Sequence, residues 1–162
     1  MVRPSRIILG VSIGLVLMTL LRVFLGIAIY TISGTSMDSN SIHDGGRVLT
    51  VGTALSNVDR YDIAILQIEG VDKHYVKRII GLPGETVEIY HGQVFVNGIE
   101  VETNFLHSDK SITLTDFSHY SITLGDDEYF VLGDNRPVSE DSRRFGPVNY
   151  NEIKGIVKWV IH

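Results

Sequence analysis

Apolar residues run almost unbroken from Ile7 to Leu21 (IILGVSIGLVLMTLL), stop at Arg22, and resume from Val23 to Tyr30. A membrane span needs roughly 20 apolar residues for ~30 Å of hydrocarbon. The two runs therefore predict one N-terminal transmembrane helix, long enough if Arg22 snorkels to the outer interface. A cleavable signal peptide is the competing reading, because the start is basic and Gly26-Ile27-Ala28 is a small-x-small triplet. A buried core helix fits less well, since an all-round apolar helix needs a larger domain around it.

Beyond Ser33 the pattern shortens and alternates. Arg47–Val51, Asp62–Ile68 and His74–Ile80 read as strands, the last ending in the turn signal Gly81-Leu-Pro-Gly84. Thr86–Tyr90 and Gln93–Val96 flank His91-Gly92, and Asn97-Gly98 leads into Ile99–Val101, which are hairpin signatures. Glu128–Leu132 and Gly155–Ile161 complete the set. The fold predicted is mostly β: a coiled antiparallel sheet or partial barrel behind one transmembrane helix. Phe105 to Tyr120 has no firm period and reads as an exposed excursion. The expected division is 1–32 for the cytoplasmic N-terminus and anchor, and 33–162 for an extracytoplasmic β-rich domain.

Charge sharpens that division. All 19 acidic residues of the 162-residue chain follow Gly34, whereas the first 32 residues carry only Arg3, Arg6 and Arg22. The first stretch is +3 and the rest −8, for a net −5. Basic residues before the apolar run hold the N-terminus in the cytoplasm and the acidic body outside. The acidic balance argues against nucleic-acid binding, which needs clustered Lys and Arg. With no cysteine, disulfide scaffolds and thiol-based metal or redox sites are excluded. The six histidines are scattered without a helical i, i+4 pair, so no metal site is expected.

Three clusters carry candidate chemistry. Ser33-Gly34-Thr35-Ser36-Met37 follows the apolar segment directly. A serine beside glycine can expose its Oγ on a tight backbone whose N–H groups face a reacting carbonyl; the plain alternative is a polar linker. In His74–Ile80, alternation puts Tyr75, Lys77 and Ile79 on one face and Val76, Arg78 and Ile80 on the other. If the first face is interior, Lys77 loses hydration, its pKa falls, and its neutral amine can deprotonate a hydroxyl. If the faces are reversed, Lys77 is solvated and Arg78 pairs with an acid. The third cluster runs from Leu132 to Gly146 (LGDNRPVSEDSRRFG). Its mixture of Ser139, Asp141, Ser142 and Arg143 suits an Asp–Arg pair flanked by hydroxyls; a solvated charged loop is the alternative.

In this order, behind an apolar N-terminal segment, the clusters resemble bacterial type I signal peptidases in a divergent form. Gly133-Asp134-Asn135-Arg136, Ser139, Asp141-Ser142-Arg143 and Phe145-Gly146 follow the family pattern G-D-N-R-x-x-S-x-D-S-R-x-F-G without a gap. Tyr75 to Gly84 is similar to the segment carrying the family's general base, and Asp62-Ile63 sits at its R-G-D-I strand with Tyr61 in place of glycine. The nucleophile motif, G-x-S-M-x-P-T-L-x-x-G-D in the family, departs after Met37: Asp38-Ser39-Asn40-Ser41-Ile42 lacks the proline and threonine and has one extra residue. A gapped alignment keeps Ser36 with Gly34 and Met37 in place; an ungapped one from Gly45 puts Met37 at the nucleophile position.

The resemblance implies a Ser–Lys serine protease of signal-peptidase fold. Ser36 would be the nucleophile and Lys77 the general base, with Ser139 hydrogen-bonding and orienting Lys77. Asp141 and Arg143 would support the loop. The Ser36 backbone N–H would be one oxyanion donor. The second lies near Gly34, which lacks a hydroxyl and would serve through a backbone N–H. Cofactors and metals are not implied. Partners would be signal peptides of secreted preproteins and the lipid bilayer, with no nucleic acid. The missing proline motivates a second possibility: a weak or inactive relative that binds secreted or pilus-type precursors, with secretion components, as an assembly factor. A self-cleaving repressor-type Ser–Lys protein shares the body but has a soluble regulatory segment where this chain has an apolar one.

Overall fold

The computed structural model describes residues 4–38, 42–101 and 119–161. It opens with helix α1, Pro4–Phe24. Its side chains from Val11 to Phe24 include a long series of exposed apolar groups, among them Leu15, Leu17, Met18 and Leu20. Among the described residues no helix is long and apolar enough to cross a membrane. The expectation that the second apolar run extends a transmembrane helix is corrected here, because α1 stops at Phe24. Gly26 takes φ +60°, which closes the helix in the left-handed region glycine favours. Arg22 turns back to donate from Nε to the Ile27 carbonyl at 3.2 Å.

Ala28–Thr31, read from the sequence as part of the anchor, is strand β1. It pairs with β2 (Arg47–Val51) in the register Ala28↔Thr50 to Thr31↔Arg47. The turn is tight: a Cβ on Gly26 would sit 2.7 Å from the Gly52 Cα. The remaining strands are β3 (Ile63–Gln67), β4 (His74–Gly81), β5 (Thr86–Tyr90), β6 (Gln93–Val96), β7 (Ile99–Glu100), β8 (His119–Thr123), β9 (Glu128–Leu132), β10 (Val148–Asn149) and β11 (Ile153–Ile161). A one-turn helix α2, Ser142–Phe145, lies between β9 and β10. The excursion expected from Phe105 falls, up to residue 118, outside the described residues.

The described strands form two antiparallel sheets, as the mostly-β expectation has it, and among the described residues there is no closed barrel. The larger has seven strands in the order β1-β2-β11-β3-β4-β9-β10 and the smaller has four, β7-β6-β5-β8. Among the described residues β1 and β10 stand at the two edges of the larger sheet, so the described strands do not close into a ring. Alternation along β4 and β9 feeds two cores. Ile80, Phe130 and Leu132 meet Val87, Ile89 and Val94 of the small sheet. Ile79 and Val131 join Ala64, Leu66 and Ile156 on the other face. At Gly81 a Cβ would lie 2.5 Å from Val87, so glycine lets the sheets meet. A third cluster of Ile32, Met37, Ile42, Val48 and Ile65 seats the segment after β1 and brings Ser36 beside β4.

Candidate active site

Lys77 lies in the middle of β4, between β3 and β9. Ala64 is its register partner on β3, a small neighbour that leaves the long side chain room. Lys77 is 2% exposed, on the face that Tyr75 and Ile79 share by alternation. Burial pushes its pKa down from the ordinary 10.5 to about 8; Asp141 and Glu140 oppose the fall, while Lys73 and Arg143 add to it. Lys77 Nζ is 2.7 Å from Ser36 Oγ. Arg78, on the opposite face, donates through Nε and Nη2 to both Asp134 oxygens and through Nη1 to the Tyr61 carbonyl at 2.9 Å. Both faces of β4 are therefore used: one buries an amine and the other forms a charged clamp.

The Ser36 turn is held from both ends. Ile32 and Met37 are buried at 4% and 1% exposure, so the residues between them bridge two core anchors. The Asp38 N–H donates to the Thr35 carbonyl at 3.1 Å. Asn135 reaches across from the third cluster: its Nδ2 donates to the Thr35 carbonyl at 2.9 Å and its backbone N–H to the Ser36 carbonyl at 2.9 Å. Gly34 has φ +94°, and its N–H donates to Asp44 Oδ1 at 2.8 Å. The Gly34 N–H expected to face a reacting carbonyl is thus occupied by a carboxylate. Just beyond, His43 Nδ1 and Asp38 Oδ1 meet at 2.7 Å.

The loop from Gly133 to Gly146 is knit by charge. Arg143 grips Asp141 with two hydrogen bonds, Nε to Oδ1 at 2.7 Å and Nη2 to Oδ2 at 2.8 Å. Asp141 also accepts from the Gly133 N–H at 3.0 Å and caps α2 through the Arg143 N–H. Burial alone would raise its pKa; the Arg143 guanidinium and the Gly133 N–H outweigh that and hold it below the usual range. Ser142 Oγ accepts from the Val131 N–H at 2.9 Å, fastening α2 to β9. Arg136 is buried, donates from Nε to the Gly133 carbonyl at 2.9 Å, and its pKa is lowered by burial to about 10.

Of the residues singled out from sequence, Ser36 and Lys77 come together, and so do Asp141 and Arg143. The expected Ser139–Lys77 bond is not made: the buried Ser139 hydroxyl lies by the Asp141 carboxylate and helps to hold its pKa down. It packs on Gly133, where a Cβ would lie 2.1 Å from Ser139 Oγ and 2.6 Å from the Ser36 carbonyl oxygen. Sequence reasoning missed the bridging role of Asn135, whose signal was its place in the G-D-N-R run. It also missed Asp44, whose bond to Gly34 only the folded chain reveals. A cleft of about 460 Å³ opens over Ser36 and Lys77. One wall is Tyr30–Ser36 and the other Lys73–Lys77, with Val138 and Glu140 at its edge. There Lys73 Nζ and Tyr75 Oη reach Glu140 at 3.2 and 3.3 Å. Among the described residues no group of three or more His, Cys, Asp or Glu is placed to hold a metal ion.

The family profile described as "Signal peptidase, peptidase S26" matches residues 5–162. Signal peptidase I S of Bacillus subtilis (strain 168) is 39% identical over 162 residues, covering 94% of this chain and 86% of that protein. A signal peptidase I of Bacillus amyloliquefaciens is 39% identical over 160 residues, covering 93% and 84%. Among solved structures, a signal peptidase I from Enterococcus faecalis V583 superposes with a TM-score of 0.56 at 32% identity, covering 64% of this chain and 98% of that one. With a profile spanning the body and relatives matched over most of their length, this chain belongs to the signal peptidase family, peptidase S26.

Proposed function

We propose that this chain is a serine endopeptidase of the Ser/Lys dyad type that removes signal peptides from secreted preproteins at the outer face of the membrane. The observation that carries this reading is the buried Lys77 amine 2.7 Å from the Ser36 hydroxyl. A neutral amine takes the Ser36 proton as Oγ attacks the peptide carbonyl. The tetrahedral oxyanion is met by the Ser36 backbone N–H. Protonated Lys77 then passes its proton to the leaving amine, and an ester to Ser36 remains. Water, deprotonated by Lys77, attacks the ester, and collapse restores Ser36 Oγ–H and frees the carboxyl product. Asp141 and Arg143 keep the loop beside Lys77 rigid, and Ser139 packs on Gly133 within that loop.

The substrate would lie extended in the cleft against the edge of the segment that follows β1, since an extended chain adds to a sheet edge through main-chain hydrogen bonds. The exposed apolar side chains of α1 fit lipid, and Arg3 and Arg6, before the apolar run that starts at Ile7, fit a cytoplasmic N-terminus. The body from β1 onward would then stand outside. The decisive test is precursor cleavage by Ser36→Ala and Lys77→Ala. Each is expected to lose activity by about 10³-fold or more. Parental cleavage rates in Ser36→Ala protein would refute the assignment.

One observation favours a second reading, a weak or inactive relative that binds secreted or pilus-type precursors. The Gly34 N–H is spent on Asp44, which leaves the oxyanion site short of the donor expected there. On that reading Ser36→Ala protein binds precursors and keeps its biological role. Loss of that role in folded Ser36→Ala protein removes it.

A further inference from the structure

The pairing of β1 with β2 does not end with the strands. It runs into a glycine bulge: the Ile32 N–H donates to the Gly46 carbonyl at 2.8 Å and the Gly45 N–H donates to the Ile32 carbonyl at 2.9 Å, so Gly45, at φ +79°, and Gly46 both oppose Ile32. Beyond the bulge the chain turns, with the Gly46 N–H donating to the His43 carbonyl at 3.0 Å, and the regular ladder ends. The Gly34 N–H, at a residue with φ +94°, meets the Asp44 carboxylate at 2.8 Å. The side chain ties the two segments together where the backbone ladder has stopped, and Ser36 follows two residues later.

We propose that Asp44 is a positioning residue for the nucleophile: its carboxylate pins the upstream end of the Ser36 turn, in a chain whose downstream side lacks the proline that the resemblance leads one to expect. The proposal rests on the dyad reading above. The downstream end is fixed by Met37 in the core and the middle by Asn135, so Asp44 supplies the missing constraint. It lines a separate hollow of about 310 Å³ with Ile32, His43 and Arg47, not the cleft over Lys77. It therefore acts on Ser36 through Gly34 and does not touch substrate. A consequence follows for the oxyanion site. The Gly34 N–H is a structural tie, and stabilisation of the oxyanion falls on the Ser36 N–H and on groups other than Gly34.

The test compares the parent with Asp44→Ala and Asp44→Asn in the full chain, reading kcat and KM on a precursor peptide together with hydrogen exchange of the Gly34 amide. Misplacing a reacting atom by ~1 Å costs on the order of 100-fold. Asp44→Ala is thus expected to lower kcat by about 10- to 100-fold, with KM within about threefold. Asp44→Asn keeps an acceptor oxygen and is expected to recover most of the rate. The Gly34 amide should be protected in the parent and in Asp44→Asn and exchange freely in Asp44→Ala. An Asp44→Ala enzyme as fast as the parent overturns the proposal, and a faster one would show that Gly34 is an oxyanion donor held in check. Global unfolding of Asp44→Ala alone would also overturn it, since Asp44 would then support the fold at large. If the parent cleaves no precursor, the dyad reading fails by itself. Asp44 is then judged by Gly34 exchange: loss of protection in Asp44→Ala supports the pin, and unchanged protection refutes it.

Discussion

The two halves of the dyad sit in opposite kinds of structure. Lys77 is carried by the middle of an eight-residue strand with neighbours on both sides, and its amine is positioned by the sheet itself. Ser36 is carried by a short turn outside any strand, and its place depends on bonds brought from elsewhere: Asn135 from one side and Asp44 from the other. A base that must be kept dry needs a core, whereas a nucleophile that must meet substrate needs an edge. The difference teaches where each half is vulnerable. Changes around Lys77 act through hydration and charge, and changes around Ser36 act through geometry.

The largest effect is expected on the Lys77 side. Lys77→Met should abolish cleavage and yet stabilise the fold. The drop from 10.5 to about 8 corresponds to about 3 kcal/mol at ~1.4 kcal/mol per unit. The sign follows from proton binding. Between pH 8 and 10.5 the unfolded chain binds a proton that the folded chain has released, so parental stability rises with pH through that window. The gain in Lys77→Met should be greatest below pH 8 and gone near 10.5. Denaturant melts across pH measure it, and a destabilised Lys77→Met would contradict the cost assigned to burial.

Next is the loop that both halves share. Asp141→Ala leaves the Arg143 guanidinium buried without its carboxylate and is expected to cost about 3–5 kcal/mol in urea melts. A smaller loss acts on the Ser36 side alone. Gly133→Ala puts a methyl group against Ser139 and the Ser36 carbonyl, which should cost about 1–3 kcal/mol and lower kcat more than it raises KM. If Gly133→Ala kept the parental kcat, the turn would be freer to shift than the contrast allows.

The fourth prediction has the opposite sign. Tyr61 stands where the family pattern has glycine and adopts φ +73°, a left-handed conformation that disfavours a side chain by about 1–2 kcal/mol. Tyr61→Gly is therefore expected to gain up to about 1 kcal/mol after the entropy lost by the extra glycine, read as a raised melting temperature with cleavage unchanged. The smallest effects come from the exposed pair at the cleft edge. Lys73 pushes the Lys77 pKa down and Glu140 pushes it up. Lys73→Ala should therefore move the acidic limb of the cleavage profile to higher pH, and Glu140→Ala to lower pH. Shifts in the same direction would contradict a purely electrostatic influence.

Much of the body was legible because alternation and turn residues are local properties. The spans expected for Arg47–Val51, Thr86–Tyr90 and Gln93–Val96 coincide with β2, β5 and β6, and the G-D-N-R to F-G run located the charged loop. The β4 alternation separated Lys77 from Arg78 correctly. β1 was illegible because its first three residues, Ala28 to Tyr30, continue an apolar run and look like more anchor; the break lies in the Gly26 turn and its contact with Gly52, and Gly52 is far away in sequence. α2 is too short to show a helical period and exists through its Asp141 cap. The Ser139–Lys77 bond was expected from resemblance, but hydrogen bonds depend on distances no motif specifies. Asp44 was invisible for a related reason: its role appears only once the folded chain brings its carboxylate to the Gly34 N–H.

The central claim is that burial lowers the Lys77 pKa far enough for an appreciable fraction of the amine to be neutral beside Ser36 near physiological pH. Its most direct test is NMR titration of Lys77 in protein labelled with 13C-lysine, the resonance assigned by Lys77→Arg. The account predicts an apparent pKa of about 8, with cleavage rising through the same inflection. An inflection near the ordinary 10.5 would contradict it, because the amine would then hold its proton at the moment the Ser36 hydroxyl must give one up.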